Sequence, residues 1–381
     1  FCLNAERSRF PFDWAAVRRM REVLSGGDRS AAGKEYGSVG VWESGSIGKR
    51  EEIPSSTLGP CGPDNPGTSV HVTPPRPYPT TPILPYSATP TPPVILHAHN
   101  MAAWQYGVLA TIGTGAKLVY TQHGANVHNV GFRNRVRSGV LARFTDRMAA
   151  VSESTALAMV KELGMARDRI AVIQNGVKIT AEAGSQRSEV RDRRGIPREA
   201  FVVGSVGRFS PEKNYPLLVR AFAAFHERQP DSFLVLVGDG PERAMIERTI
   251  RDFGLANDCL LPGIQADVDP WLTALDVFCL VSSTEGMPLS LLEAGAAGLP
   301  SVVTAAGAMG EVVEHGKIGL VVPREDERSV AGALAMLCAD PGMRDEMGRN
   351  ARDRVCRLYS LERALRAYEE LYGGMTIRKS P

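Results

Sequence analysis

The sequence predicts an α/β protein made of two doubly wound domains, each built on a parallel sheet. Its 381 residues exceed the usual size of one domain, so length favours two. Hydrophobic residues make up 43% of the chain and charged residues 23%, which is ordinary for a protein with sizeable cores. From residue 94 onward, short apolar runs alternate with amphipathic helical patterns. Such alternation is typical of strands and helices in parallel sheets.

The first domain is predicted over residues 1–25 and 94–178. A capped helix is expected over 13–24, because apolar residues recur there at helical spacing. We recognise no strand before Asp13, so we expect this domain to be partial. Strands are predicted at 94–98, 117–121, 147–151 and 169–174, and helices at 102–111, 132–144 and 153–163.

Residues 26–93 are predicted to form a disordered insertion rich in proline, glycine and serine. Thirteen of the 26 prolines fall between Pro54 and Pro93, and only Asp64 and Arg76 are charged between Ile53 and Leu96. Proline removes backbone donors and fixes φ, so neither helix nor sheet can run through such a segment. An interaction arm is the alternative. Insertion is favoured, because compact α/β domains rarely hold loops longer than about 15 residues.

The second domain is predicted over 186–356, and a last helix over 357–372 is expected to pack back on the first domain. The six predicted strands are short and rich in Val, Leu and Phe. They lie at 201–206, 233–237, 259–261, 277–281, 301–304 and 319–322. The helices between and after them are predicted at 215–227, 243–253, 289–297, 327–337, 343–355 and 361–371.

Charge and targeting patterns exclude several classes of protein. The net charge is +2, which argues against a dedicated nucleic-acid binder. Six scattered cysteines form no Cys-x-x-Cys pair, which is the usage of a reducing compartment. No signal peptide or membrane-spanning run is recognised. A cytoplasmic protein is therefore expected.

Two polar motifs are not favoured as metal sites. Asp267-Val268-Asp269 precedes a proline and a short helix, so helix capping is the favoured interpretation. His97 and His99 are expected to face opposite ways on their strand. No metal is predicted, although His99 and Asn100 stand at a strand end and could touch a ligand.

The loop after the strand at 201–206 carries two cations just before a helix. In open parallel sheets, ligands bind beyond the carboxyl ends of the strands, near the N-termini of the following helices. Arg208 and Lys213 in this place can receive a pyrophosphate. An equally weighted alternative is that both are solvated loop charges.

The loop after the strand at 277–281 leads into a helix with two glutamates. Glu285 lies in the loop, and Glu293 lies in the helix among leucines and alanines. A carboxylate in such an apolar run needs hydrogen-bond donors, and the vicinal hydroxyls of a sugar are good ones. The alternative is a pair of glutamates favoured by the helix dipole. This alternative explains the position of Glu285 well and that of Glu293 poorly.

Several motifs spread over residues 94 to 372 resemble those of glycosyltransferase family 4, whose members are retaining enzymes of the GT-B fold, and they follow one another along the chain in the family's order. Glu285 to Glu293, Glu-Gly-Met-Pro-Leu-Ser-Leu-Leu-Glu, resembles the family's paired-glutamate signature. The further matches are Val206-Gly207-Arg208 with Lys213 for the phosphate loop, Val237-Gly238-Asp239-Gly240-Pro241 for a strand-end turn, Thr121-Gln122-His123-Gly124 for the first-domain histidine, and Gln174-Asn175-Gly176-Val177 for the interdomain hinge.

The resemblance implies transfer of a hexose from a nucleoside-diphosphate sugar to a glycan or lipid-linked acceptor, with retention and without metal or other cofactor. Glu293 would hold ribose hydroxyls and Glu285 sugar hydroxyls, while Arg208 and Lys213 neutralise the leaving diphosphate and His123 faces the sugar. The implied catalytic residues are His123, Arg208, Lys213 and Glu285. The implied donor-binding residues are Gly207, Arg208, Lys213, Gly238, Glu285, Gly286, Met287, Pro288, Leu289 and Glu293.

The sequence also departs from the family pattern. Lys178 stands where an Asp is usual, and Ala306-Gly307-Ala308-Met309-Gly310 stands where the family usually has a Gly-Gly turn before Glu311. With the partial first domain, these departures leave open a nucleotide-sugar-binding protein without turnover. A GT-B epimerase or phosphorylase is a further alternative.

The helix predicted over 132–144 admits two interpretations. It could lie on an anionic membrane at the inner face, as a peripheral contact. The favoured interpretation places Phe132, Val136, Val140 and Phe144 in a packed stripe beneath a solvated arginine face.

Overall fold

The computed structural model describes residues 2–4, 17, 18, 21, 24, 94–124, 132–179 and 187–376. The predicted insertion over 26–93 and most of the helix predicted over 13–24 lie outside these residues. The described residues form two α/β domains, and every paired strand in both sheets is parallel to its neighbour. The predicted fold class, two parallel-sheet α/β domains, is confirmed.

The first domain holds a five-stranded sheet in the order β1-β2-β3-β4-β5. Its elements are β1 (Cys2–Asn4), β2 (Ile95–His99), α1 (Asn100–Thr111), β3 (Lys117–Gln122), α2 (Phe132–Arg143), β4 (Arg147–Ala150), α3 (Glu153–Leu163) and β5 (Ile170–Val172). The expectation that no strand precedes Asp13 is wrong, because β1 pairs with β2 from Cys2↔His97 to Asn4↔His99. Three residues are too few to show a periodic pattern.

An aromatic pair anchors the core of the first domain. Trp104 of α1 stacks on Tyr120 of β3 with 4.1 Å between ring centroids, and both side chains are fully buried. The indole Nε1 donates to Thr145 Oγ1 at 2.8 Å, so the buried polar atom is satisfied. This packing holds α1 against β3, whose end at Gln122 is followed directly by His123.

The second domain holds a six-stranded sheet in the order β11-β10-β9-β6-β7-β8. Its first half comprises α4 (Arg187–Arg194), β6 (Phe201–Val206), α5 (Tyr215–His226), β7 (Ser232–Val237), α6 (Arg243–Asp252), β8 (Cys259–Gly263) and α7 (Asp269–Ala274). Its second half comprises β9 (Val277–Leu280), α8 (Leu289–Ala296), β10 (Ser301–Thr304), α9 (Met309–Val312), β11 (Gly319–Val322), α10 (Glu327–Ala339) and α11 (Pro341–Leu358). The strand order reverses between β6 and β9, as in a doubly wound sheet. The described strands of the first sheet follow chain order without a reversal.

Burial on both faces explains why the strands of the second sheet read as unbroken apolar runs. All residues of β6, β7, β9 and β10 are buried, and helices cover both sides. The short helix α4, which is not among the predicted elements, is held by polar contacts instead. Its Arg191 is buried and donates to Asp276 Oδ2 at 2.7 Å, while Val202 N donates to the same carboxylate oxygen at 2.8 Å.

The two domains are joined by the hinge segment and by the last helix, α12 (Leu361–Thr376). Val177 N donates to Tyr359 O and Leu361 N donates to Val177 O, both at 2.9 Å. Beyond this bridge, α12 extends over the first sheet, where Tyr372 Oη lies 2.7 Å from His97 Nδ1. A second link joins the domains, since Glu311 accepts from Ser154 N at the start of α3 at 2.8 Å.

The helix α2 does not pack as the sequence analysis favours. Val136, Val140 and Phe144 are 50%, 51% and 52% exposed, so the predicted packed stripe is wrong for these three residues. The helix instead buries the opposite side, with Ser138 and Leu141. The described part of Phe132 does not include its side chain. Among the described helices, none has both the length and the apolar character to cross a bilayer.

Candidate functional site

The reversal of strand order in the second sheet brings two loops together. β6 and β9 are neighbours, paired through Val203↔Val277 and Gly204↔Phe278, and both run in the same direction. Their following loops therefore leave the sheet at one edge, where a crevice forms between helices on opposite faces. Ser283 N of the second loop donates to Glu212 O of the first at 2.8 Å, which ties the loops to each other.

Lys213 and Glu285 meet in this crevice. Lys213 Nζ donates to Glu285 Oε1 at 2.6 Å, and the two side chains are only 16% and 11% exposed. Ser282 Oγ donates to the same oxygen at 2.7 Å. Both bonds end on Oε1, so Oε2 is the oxygen that can accept from a ligand hydroxyl. Low exposure excludes most competing water, which strengthens the electrostatic interaction of either charge with a ligand.

The loop before α5 combines cations with the start of a helix. Arg208 is exposed at the mouth of the crevice, and it makes no ion pair with any residue that the structure describes. A single turn, Pro211–Lys213, then leads through Asn214, which is left-handed at φ 50°, into α5. Pro216 has no N–H and Leu217 N donates to Asn214 O at 3.0 Å, so this helix start attracts an anion through the helix dipole and the two cations. The arrangement suits a doubly charged phosphate group.

A pocket of about 630 Å³ opens beside these cations. Two of its glycines are required by close backbone contacts. A Cβ on Gly238 would lie 1.9 Å from Gly207 O, and one on Gly240 would lie 2.3 Å from Phe209 O; both glycines have positive φ. The pocket is lined by Val206, Gly207, Arg208, Val237, Gly238, Asp239, Gly240, Ile264, Gln265 and Val268.

Three of these pocket residues follow β8 and are absent from the sequence-based set. Ile264, Gln265 and Val268 carry no recognisable motif, although they follow the third strand at the same sheet edge. Ile264 is 80% exposed. An exposed apolar side chain at the mouth of a pocket offers a flat contact to an aromatic ring.

Glu293 lies on α8, which is otherwise apolar and largely buried. Its side chain is half-buried, and desolvation raises the pKa of its carboxyl above the usual value, with a smaller contribution from the charge of Asp269. No described residue donates a hydrogen bond to this carboxylate. A half-buried carboxylate without a protein donor is suited to ligand hydroxyls.

The residues between the two glutamates line the contact between the domains. Gly286 lies against the backbone of His123, and Met287 O accepts from Asn175 Nδ2 of the hinge at 2.9 Å. Pro288 precedes α8 as its N-cap residue rather than as its first helical residue, and Leu289 is 49% exposed. Gly307, in the stretch that lacks the family's Gly-Gly turn, lies against the backbone of Glu285. Its φ is 53°, and a Cβ there would lie 1.8 Å from Glu285 O.

The face of the first domain that meets this contact carries three histidines. His97 and His99 share one face of β2, with ring centroids 4.1 Å apart, so the expectation that they face opposite ways is wrong. Residues i and i+2 of a strand lie on the same side. His99 Nδ1 lies 2.7 Å from His123 Nε2. The described residues contain no group of three His, Cys, Asp or Glu side chains suited to hold a metal ion.

The second domain also contains the Asp-x-Asp sequence, which serves the turn before α7. Asp267 Oδ1 accepts from Asp269 N at 3.1 Å, which closes a local turn. The N-cap residue of α7 is Val268 and no side chain caps the helix, so the helix-capping interpretation is wrong for this pair. Asp269 is the first residue of α7, where a negative charge is favoured by the helix dipole.

Two parallel-sheet domains that meet across strand-end loops, with a pocket and paired cations in the second, define a GT-B protein. Two family models match the chain: Glycosyl transferases group 1 over residues 186–354, and Glycosyltransferase Family 4 over residues 58–181. The second match begins within the segment predicted as an insertion.

Individual relatives agree with these matches. The chain is 31% identical to a D-inositol 3-phosphate glycosyltransferase of Kribbella flavida over 278 residues, which cover 68% of this chain and 66% of that protein. It is 30% identical to a protein of the same name from Saccharomonospora viridis over 300 residues, covering 73% and 69%. The structure is similar to that of Anabaena Alr3699/HepE in complex with UDP, with a TM-score of 0.66 and 26% identity, covering 73% and 78%. The chain belongs to glycosyltransferase family 4.

Proposed function

We propose that this glycosyltransferase moves a hexose from a nucleoside-diphosphate sugar to a hydroxyl of its acceptor, with retention and without a metal ion. The observation that carries the proposal is the partly buried contact between Lys213 and Glu285 beside the pocket of about 630 Å³. Lys213 suits a phosphate and Glu285 suits a sugar hydroxyl, and these two groups are neighbours in a nucleoside-diphosphate sugar.

The nucleoside would occupy the pocket and the adjoining start of α8. The base fits the space beside Ile264, whose exposed side chain can cover one face of the ring. Glu293 would accept hydrogen bonds from the ribose hydroxyls, since its carboxylate has no donor among the described residues. These contacts hold the donor and do not change during the reaction.

The diphosphate would lie between Arg208, Lys213 and the start of α5. Cleavage of the bond between the anomeric carbon and the phosphate oxygen leaves an additional negative charge on the diphosphate. Two cations aimed at that oxygen stabilise the transition state more than the bound donor. Because the protein supplies this positive charge, no metal is needed for it.

The hexose would lie between the domains. Glu285 holds its hydroxyls through Oε2, with the Gly286 to Leu289 segment beside them, and His123 faces the sugar from the first domain. Lys213 neutralises the diphosphate and orients Glu285 at the same time, since both contacts use the one ammonium group. Retention is proposed from family membership.

For the acceptor we propose a glycan or lipid-linked polyol reached from the cytoplasmic face of a membrane. The support is α2, where exposed Val136, Val140 and Phe144 alternate with arginines and where the helix carries no acidic residue. An apolar row flanked by positive charge fits the headgroup region of an anionic bilayer. The contact is peripheral.

A binding and turnover experiment tests the donor assignment. The full chain is titrated by calorimetry with a panel of nucleoside diphosphates and their hexose derivatives, and release of the diphosphate is followed with and without polyol acceptors. Glu293→Ala should weaken binding of the preferred nucleotide at least tenfold, because the ribose contacts are lost. Glu346→Ala, at an exposed position of α11, is the control. Unchanged affinity in Glu293→Ala would reject the ribose assignment. Binding without release of the diphosphate by any donor would reject the transferase assignment.

A further inference from the structure

His99 and His123 are joined ring to ring. His99 Nδ1 lies 2.7 Å from His123 Nε2, with 4.9 Å between the ring centroids. At this separation one nitrogen donates a proton and the other accepts it, so the two rings must hold complementary tautomers. Protonation of both facing nitrogens would place two N–H groups against each other. The pair is therefore stable with both rings neutral.

The neighbouring His97 does not compete for this hydrogen bond. Its Nε2 lies 2.8 Å from Thr121 Oγ1, and its Nδ1 lies 2.7 Å from Tyr372 Oη of α12. With both nitrogens engaged, His97 contacts His99 only through its ring face, at 4.1 Å between centroids. His97 thus limits the rotation of His99 without taking its proton.

The backbone around His99 also reaches His123. Asn100, the next residue, has a φ of 66°, which is uncommon outside glycine and is held only where the surrounding structure requires it. Its side-chain Oδ1 accepts from His123 N at 3.1 Å. His99 at the end of β2 and Asn100 at the start of α1 therefore hold the ring and the main chain of His123, respectively.

Burial keeps these histidines neutral. Desolvation lowers the pKa of His99 to about 4, with His123 adding to the effect, and it lowers the pKa of His123 as well. A neutral His123 whose Nε2 is engaged by His99 has Nδ1 left for a ligand. Whether Nδ1 of His123 carries a proton depends on which ring donates in the hydrogen bond between His99 and His123.

We propose that His99 is a positioning residue that fixes the tautomer and the ring orientation of His123. This inference rests on the proposed function, in which His123 faces the donor hexose. His99 acts through His123 and is not expected to touch the nucleotide, which binds on the other domain. Loss of His99 should therefore affect the transfer step and leave nucleotide affinity unchanged.

The test uses the full chain with ¹⁵N-labelled histidine, in wild type and in His99→Leu and His99→Asn variants. Asparagine places a donor and an acceptor near the position of Nδ1, whereas leucine has neither. NMR should show one neutral tautomer of His123 in the wild type and in His99→Asn, and a mixture in His99→Leu. The kcat of His99→Leu should fall about 10- to 100-fold with unchanged nucleotide affinity, and His99→Asn should recover most of it.

Two results separate this proposal from the proposed function. An unchanged His123 tautomer in His99→Leu would overturn the role of His99, whatever the activity. Full activity in His123→Ala would overturn the proposed role of His123 and leave the hydrogen-bonded pair intact as a structural feature. If His99→Leu does not fold, the tautomer and kcat of His99→Asn decide the question, and a mixture of tautomers there overturns the proposal.

Discussion

The carbonyl oxygen of His123 occupies the space that a side chain on Gly286 would need. A Cβ built on Gly286 would lie 1.9 Å from His123 O and 3.1 Å from Gly124 Cα. His123 belongs to the first domain and Gly286 to the loop between the two glutamates of the second. The main chains of the domains therefore meet at the proposed sugar site, and this approach is possible only without a Cβ.

We predict that Gly286→Ala prevents the domains from closing at the site. The clash is with main chain, which cannot rotate away as a side chain can, so the domains must separate. A displacement of about 1 Å at a reacting centre can cost about 100-fold in rate, and we expect kcat/KM to fall by at least that factor. Nucleotide affinity should change little, because the pocket lies within the second domain.

Donor hydrolysis and transfer kinetics measure this loss, with calorimetry for the nucleotide. Gly332→Ala on α10 is the control, since a Cβ there meets nothing within 4 Å. Near-normal turnover by Gly286→Ala would mean that the close approach is not part of the active arrangement.

The fold could be predicted where strands are buried on both faces. β6 and β10 begin and end at the predicted residues, because a continuous apolar run between polar loops marks such a strand. β1 was missed because three residues show no period. α4 was missed because its place is fixed by the buried contact of Arg191 with Asp276 rather than by an apolar face. A pairing between residues 85 positions apart leaves no local signal.

The site could be predicted where motifs follow strands, and less well elsewhere. Lys213 and Glu285 were expected at one sheet edge, and the structure adds that they contact each other. The order of strands, which decides that β6 and β9 are neighbours, is not visible in local patterns. The histidine cluster was missed because His97 and His99 were placed on opposite faces of their strand, whereas residues two positions apart lie on the same face.

We predict that Lys213→Ala damages both activity and stability. Removal of the ammonium group takes one cation from the diphosphate, and kcat should fall about 10²- to 10³-fold. It also leaves Glu285 largely buried without its cation, so Tm should fall. Adding Glu285→Gln should recover part of the Tm and none of the activity.

Thermal unfolding and donor turnover measure the two effects. Lys317→Ala is the matched control, because its ion pair with Glu314 is exposed and should contribute less than about 1 kcal/mol. Equal losses of Tm in Lys213→Ala and in Lys213→Ala/Glu285→Gln would contradict the expectation that the unpaired Glu285 carboxylate destabilises the single variant.

We predict that Glu293→Gln stabilises the free protein while it weakens nucleotide binding. Burial raises the pKa of Glu293 above its value in the unfolded chain, so the ionised form is disfavoured in the folded state at neutral pH. The contribution of the Glu293 carboxyl to folding stability is therefore fully present below its pKa in the unfolded chain and is lost as pH rises through its pKa in the folded protein. The Tm of Glu293→Gln should therefore exceed that of the wild type at pH 7, on the order of 1–3 °C, and the difference should shrink toward pH 4.

Nucleotide affinity should also depend on the ionisation of Glu293, but here the ionised form is the favourable one. Ribose hydroxyls bind the carboxylate, so wild-type affinity should decrease as pH falls through the raised pKa, starting above the usual 4.5 of a glutamate. The affinity of Glu293→Gln should lack this step. Calorimetry between pH 4.5 and 8 measures both. A pH profile shared by the two proteins would place the titrating group elsewhere.

The exposed face of α2 leads to the last prediction, that the full chain binds anionic vesicles through this helix. Each arginine near an anionic surface contributes about 1 kcal/mol, so reversing two charges in Arg137→Glu/Arg143→Glu should lower partitioning at least about 30-fold. Val136→Glu/Val140→Glu should lower it as well, because it removes the apolar contact. Vesicle sedimentation with phosphatidylglycerol, compared with phosphatidylcholine and with added salt, measures both effects. Met336→Glu on α10 is the control, since Met336 is 53% exposed on the other domain. Equal binding to neutral and anionic vesicles, or binding that survives both double variants, would assign the exposed row to another partner.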